Sequence, residues 1–206
     1  MPHPTNHFVS HIPKKKKSQK SYNLNNHIIK THNNHIIWNV SIVCLLETKV
    51  KEINAQRIQN AIDPGWNFVH NYQSHRLGRI WLCWDSDLIQ VKYTWQSEQL
   101  LHVKILMQAG EFMTTFIYAL NDGMDRRQLW RDLEDLKLAV GGDSWMLGAG
   151  DFNVVKSPIE KSGKEALTLY EKEFGDCLYS IEFLDHSFSG PLHSWSNKRD
   201  EDAFVA

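Results

Sequence analysis

The residues best placed to do chemistry stand where apolar runs end. Trp145-Met-Leu-Gly-Ala-Gly-Asp-Phe-Asn153 is an apolar run that closes on two glycines, a carboxylate, an aromatic and an amide. A buried strand that presents such groups at its end is a rigid edge on which to build a polar site. Asp151 can accept a proton or hold a cation, and Asn153 can donate a hydrogen bond. Two residues apart, they point to the same side if the chain there is extended. Glu47 follows the run Ile42-Val-Cys-Leu-Leu46 and offers a hard oxygen ligand suited to Mg2+. Tyr118 stands near the end of Phe112–Leu120 and Asn121 just after it, and they supply a hydroxyl and a second amide. Each group also has a structural reading. The Asp151 stretch fits a strand ending in an Asx turn, Glu47-Thr48 fits the start of a helix, and Tyr118 fits a packed ring with its hydroxyl bonded nearby.

The elements that must position these groups follow from the apolar pattern. Ile42–Leu46 is continuously apolar, as in a strand buried on both faces. Residues 50–62 read as a helix stopped by Asp63-Pro64-Gly65. Trp66–His70 and Arg79–Trp84 read as strands. Leu88–Trp95, Leu101–Met107 and Phe112–Leu120 are rich in β-branched and aromatic residues and joined by short polar links, which predicts an antiparallel meander. Asp122-Gly123 opens a helix with Leu129, Leu133, Leu136 and Val140 on one face, and Gly141-Gly142 ends it. The Trp145–Gly150 strand follows. A later helix carries Tyr170, Phe174, Cys177 and Ile181 at helical spacing, a core face rather than a cofactor site. This mixture predicts an α/β (α+β) sandwich, with helices outside packed sheets.

Composition bounds the rest. The chain has 206 residues, 42% hydrophobic and 11% aromatic, enough for one domain with a core. Residues 1–37 differ: they hold six lysines, no arginine, no acid, and six of the eleven histidines. Such a segment cannot bury enough surface to offset its ordering entropy, so it reads as a disordered tail, with a globular domain over 38–206. With those lysines set aside, the net −1 of the whole chain becomes −7 for residues 38–206. Lys14–Lys17 fits a solvated run, a nuclear-import signal or a phosphate contact. Cys44, Cys83 and Cys177 are odd in number and lack metal spacing, which argues against disulfides and a zinc site and for a reducing compartment. No apolar run approaches the ~20 residues that span a bilayer, and the N-terminus lacks an apolar signal core. An intracellular protein, nuclear or cytoplasmic and not secreted, is expected.

Four motifs in order carry a family resemblance: Cys44-Leu-Leu-Glu-Thr-Lys49, Tyr118-Ala-Leu-Asn121, Gly150-Asp-Phe-Asn153 and Ser194-Trp-Ser-Asn197. Together they resemble the endonuclease/exonuclease/phosphatase family, the DNase I-like fold, and within it the endonuclease domain of plant LINE-type non-LTR retrotransposons. The resemblance implies a four-layer α/β sandwich and a Mg2+-dependent phosphodiesterase acting on DNA, with Mn2+ as a substitute. By the same resemblance Glu47 binds the metal, Asp151 orients and deprotonates the attacking water, and Asn153 holds that water or a phosphate oxygen. Tyr118 and Asn121 donate to the phosphate, and Lys49 and Trp195 lie on the substrate side. That chemistry is coherent by itself, since a phosphodiester needs a positioned water, a base and preorganised positive charge.

The match breaks in two places. In the family a turn and a helix separate the Trp-Asn-Val strand from the strand of the metal-binding Glu. Here Trp38-Asn39-Val40 runs straight into Ser41, and only seven residues separate Asn39 from Glu47. A parallel crossover needs about a dozen, so Asn39 is a doubtful second metal ligand. The family's late Leu-Asp-Arg and Ser-Asp-His motifs are not in this sequence. Asp185-His186 precedes the Ser-Trp-Ser-Asn motif and reads as a loop dyad. The expectation is therefore an incomplete enzyme with little or no turnover, without its first helix and last strands. The rival readings are a non-catalytic nucleic-acid-binding module and, within the family, a phosphatase or exonuclease.

Overall fold

The computed structural model describes residues 41–141, 144–161 and 166–184. The readings made above for residues 1–37, Asn39, Asp185-His186 and the motif containing Trp195 lie outside the described residues. Among those residues the chain forms two compact units, one of 41–118 and 144–151, the other of 119–141, 152–161 and 166–184.

The first unit is built on two sheets. Strands β1 (Ile42–Leu46), β2 (Trp66–His70) and β3 (Ile80–Asp85) form an antiparallel sheet in the order β1-β3-β2. Strands β4 (Gln90–Gln96), β5 (Leu100–Met107) and β6 (Gly110–Tyr118) form the predicted meander, and β7 (Trp145–Asp151) joins it parallel to β6. The two sheets pack face to face through Ile80, Leu82 and Trp84 of β3 against Leu101, Val103, Ile105, Phe116 and Tyr118. Leu82, Leu101 and Val103 are fully buried, and each such side chain contributes about 2 kcal/mol. The alternate face of β3 turns Trp81 toward α1 (Ala55–Ile62), where Val50, Ala55, Ile58, Ile62 and Tyr72 cover it. α1 is shorter than the predicted helix because residues 52–54 form a 3-10 turn ahead of it.

β1 departs from expectation. Its apolar run predicts burial on both faces, yet all five residues are half-buried. Ile42, Cys44 and Leu46 face the core between the sheets and Leu45 faces α1, so both faces are apolar as read. The strand sits at a sheet edge, bonded only to β3 among the described residues, and edge position limits its cover.

The second unit is a helix pair, α2 (Gly123–Val140) and α3 (Leu169–Ser180). Asp122 caps α2 by accepting from the Met124 and Asp125 amides at 2.8 and 3.4 Å. Gly141, at φ 61°, ends it as predicted. A capping box of Thr168 and Glu171 starts α3. Leu129, Leu133 and Leu136 of α2 are buried, and of the predicted apolar face of the later helix Phe174, Cys177 and Ile181 are buried while Tyr170 is half-buried. Trp130 stacks on Phe174 at 5.2 Å, and the Phe152 ring lies 4.8 Å from Phe174. Gly123 permits the closest approach: a Cβ there would stand 2.4 Å from the Tyr170 ring.

Candidate functional site

Within the first unit the polar groups converge at one end of the two-sheet sandwich. In the parallel β6–β7 pair, Tyr118 is the register partner of Asp151, at the carboxyl ends of both strands. Leu147 opposes Thr115 and Gly150 opposes Ile117, so Gly148 and Ala149 together oppose Phe116 alone. This bulge sets the register that puts Asp151 beside Tyr118, and bulges commonly re-aim a strand at such an edge. The glycines make it possible. A Cβ at Gly148 would lie 2.7 Å from the Thr114 Oγ1, and one at Gly150 would lie 3.1 Å from the Ile117 Cβ.

Glu47 arrives from the other sheet. It leaves β1 with φ 56°, and Lys49 has φ 52°. Left-handed conformations at non-glycine residues cost on the order of 1 kcal/mol or more and persist where surroundings hold them. Here the Thr48 Oγ1 donates to the Gly78 carbonyl at 2.8 Å, tying the β1 exit to the loop ahead of β3. The Glu47 carboxylate pairs with the Lys49 Nζ at 2.7 Å, and its charge acts on the Tyr118 phenol. Burial, then the neighbouring Glu47 carboxylate, push the Tyr118 phenol well above its ordinary value. Arg79 opposes this shift and Asp151 adds to it. Tyr118 therefore stays a protonated donor across the physiological range.

The first unit thus brings together Glu47, Lys49, Tyr118 and Asp151. Asn121 and Asn153 belong to the second unit. Asn121 is exposed, and its carbonyl accepts from the buried Arg126 at 2.8 Å. The alternation argument for Asn153 fails. Extension ends at Asp151; Asn153 has φ 51°, and its amide donates to the Ala119 carbonyl at 2.6 Å. A short amide that tolerates the left-handed region closes the turn, as the Asx reading allows.

Sequence reading missed Arg79. Its guanidinium lies over the Tyr118 ring, 5.6 Å from the centroid. The only signal was a Gly78-Arg79 pair at the start of an apolar strand.

Among the described residues no group of three or more His, Cys, Asp or Glu side chains is gathered to hold a metal ion. At phosphate-binding sites Mg2+ takes one or two carboxylates and completes its shell with water and phosphate oxygens. Glu47 suits that sparse donor set: its side chain is 38% exposed and already draws a cation, the Lys49 ammonium, to its oxygen.

No family model matches the chain, and no curated protein matches it in sequence. Solved structures match it in shape. The endonuclease domain of TRAS1, a telomere-specific non-LTR retrotransposon, superposes with a TM-score of 0.53 at 12% identity, over 69% of this chain and 59% of that one. The fold is DNase I-like. A beta toxin from Staphylococcus aureus matches at a TM-score of 0.50 and 15% identity, over 80% of this chain and 66% of that chain. The chain therefore spans about three fifths of the retrotransposon endonuclease domain. The DNase I-like fold, with mixed sheets and helices, agrees with the α+β expectation.

Proposed function

We propose that the edge formed by Glu47, Tyr118 and Asp151 is a phosphodiester-cleaving site of the endonuclease type, dependent on Mg2+ and acting on DNA. The observation that carries this reading is the convergence of Glu47 and Asp151 on one phenol at the carboxyl ends of β6 and β7. The shape shared with a retrotransposon endonuclease domain supports nucleic acid as substrate and a retrotransposon-type role.

Each residue has a part. Glu47 would hold the Mg2+, which would supply charge neutralisation at the phosphate, and Mn2+ would substitute for it. Asp151 takes the proton of the attacking water. Tyr118 donates its hydroxyl proton as negative charge builds on the phosphate, a role for which a donor held protonated is suited. Asn153 fixes the turn after Asp151, and Asn121 is the second amide that the family resemblance assigns to the phosphate. Lys49 compensates the Glu47 charge and would meet the substrate, a side on which the family resemblance also puts Trp195. The sequence contains no Ser-Asp-His motif, and loss of one such group costs about 10²- to 10⁴-fold in rate. The 206-residue polypeptide is therefore expected to turn over slowly or not at all.

The test is nicking of supercoiled plasmid with Mg2+, wild type against Asp151→Ala. Nicking near background in wild type, with no loss on substitution, is the expected result. Robust nicking abolished by the substitution would support the site and refute the catalytic deficit. Robust nicking that survives it would refute the site.

A further inference from the structure

The edge described above carries two carboxylates, Glu47 and Asp151, and two cations, Lys49 and Arg79. The cations are not equivalent. Lys49 is spent on Glu47 at 2.7 Å. Arg79 makes no hydrogen bond or ion pair among the described residues; its contact is the face of the Tyr118 ring. A half-buried guanidinium held this way keeps its donors for an incoming anion, and its planar fork matches the two oxygens of a phosphate.

The loop that carries it is built to hold it still. Gly78 has φ 47°, and a Cβ there would stand 2.5 Å from the Tyr72 ring. Tyr72 is fixed in turn by its hydroxyl, which donates to the Val50 carbonyl at 2.9 Å. Asn71 is fully buried, accepts from the Ile80 amide at 3.0 Å and donates to the Ser97 and Glu98 carbonyls. The Thr48–Gly78 bond ties the residue before Arg79 to the residue after Glu47. Arg79 is thus placed between two rigid anchors beside the candidate metal ligand. The loop also carries His75 and exposed Arg76. Burial, then Arg79, hold the His75 imidazole below its ordinary range, with Arg76 adding and Glu98 opposing.

We propose that Arg79 is the phosphate-gripping residue of this site, its guanidinium taking the non-bridging oxygens of a bound phosphodiester above the Tyr118 ring. The inference rests on the phosphodiester reading of the site and adds to it the group that holds the substrate anion. A phosphodiester is a monoanion and must enter beside two carboxylates, so a cation not already paired is needed to admit it. Arg79 fills that need before any metal binds.

The test separates binding from turnover. The full chain is titrated in EDTA with thymidylyl-3′,5′-thymidine, a dinucleoside monophosphodiester. The Nε–Hε signal of Arg79 and the dissociation constant are followed by NMR. Arg79→Gln is expected to weaken binding roughly 10- to 100-fold, as loss of a charged hydrogen-bonding group does. Arg79→Lys recovers part of it. Arg76→Gln, which removes the same charge from the exposed part of the loop, leaves binding within about twofold. Gly78→Ala, which displaces the loop but keeps the arginine, weakens binding without removing a charge. Binding unchanged in Arg79→Gln, or lost equally in Arg76→Gln, overturns the proposal. The two readings can fail separately. Arg79-dependent binding together with robust Asp151-independent nicking leaves the anion site and removes the catalytic reading. Asp151-dependent nicking with Arg79-independent binding does the reverse.

Discussion

Acid should destabilise the four-stranded sheet through one residue, His102. Its side chain is 2% exposed on β5. The Nδ1 lies 2.7 Å from the Thr115 Oγ1, which also accepts from the Trp145 Nε1 at 2.9 Å. The Thr115 hydroxyl thus bridges the His102 ring and the Trp145 indole and leaves the other ring nitrogen, Nε2, to its own surroundings. That Nε2 is buried without a partner among the described residues. Burial pulls the His102 imidazole down to about 4, from an ordinary 6.5. A base with a lowered folded pKa is bound by fewer protons when folded than when unfolded. Stability is therefore complete above about 6.5 and falls as pH drops toward about 4. At about 1.4 kcal/mol per pH unit, this window of roughly 2.5 units sets an upper limit of about 3 kcal/mol. The assay is urea unfolding at pH 7.0 to 4.5 for wild type and His102→Gln, which keeps an amide donor and removes the titration. Other histidines titrate in both proteins, so the difference between the two slopes isolates His102. The expected result is a steeper loss in wild type, approaching 2 to 3 kcal/mol more than in the variant. Parallel pH profiles, or a His102 ring titrating near 6.5 by NMR, would refute the reasoning.

Other substitutions test the packing and the caps. Gly123→Ala should cost about 1 to 3 kcal/mol in denaturant unfolding, because its Cβ would enter the Tyr170 ring; a neutral effect would mean the helix pair packs otherwise. Gly148→Ala should destabilise to a similar extent and disturb the Asp151 amide resonance, since Thr114 and Phe116 occupy the space of its Cβ. Thr168→Ala removes the capping box of α3 and should cost about 1 kcal/mol, read as a lowered midpoint with an unchanged m-value. Tyr118→Phe should leave the fold intact and lower any Mg2+-dependent nicking, because it removes the phenol that stands between the charges of Glu47 and Asp151.

The legible parts of this molecule were those encoded locally. The Gly150-Asp-Phe-Asn153 stretch could be read because polar residues interrupt an apolar strand, and its Phe152 proves to be packed against Phe174 and Trp130. The helix limits at Asp122 and Gly141 could be read because caps have local chemistry. What could not be read depends on contacts between distant residues or on dihedrals. Arg79 stands over Tyr118 because two sheets pack and Thr48 reaches Gly78, 30 residues away. Within the loop from Asn71 to Arg79, only the Gly78 before it and the apolar strand after it set that arginine apart from Arg76. Asn153 was assigned to the side of Asp151 on the assumption of extended backbone, and one left-handed residue removes the parity. The apolar run of β1 conveyed two apolar faces but not its place at a sheet edge.

The central claim is that Glu47 binds a divalent cation at the edge it shares with Tyr118 and Asp151, for chemistry on a phosphodiester. Electron paramagnetic resonance of free Mn2+ reads this directly, without requiring turnover. Wild type in the presence of thymidylyl-3′,5′-thymidine is predicted to take up one Mn2+, to lose it to excess Mg2+, and to bind at least tenfold less in Glu47→Gln. Mn2+ uptake unchanged by Glu47→Gln, or none in wild type, would contradict the account.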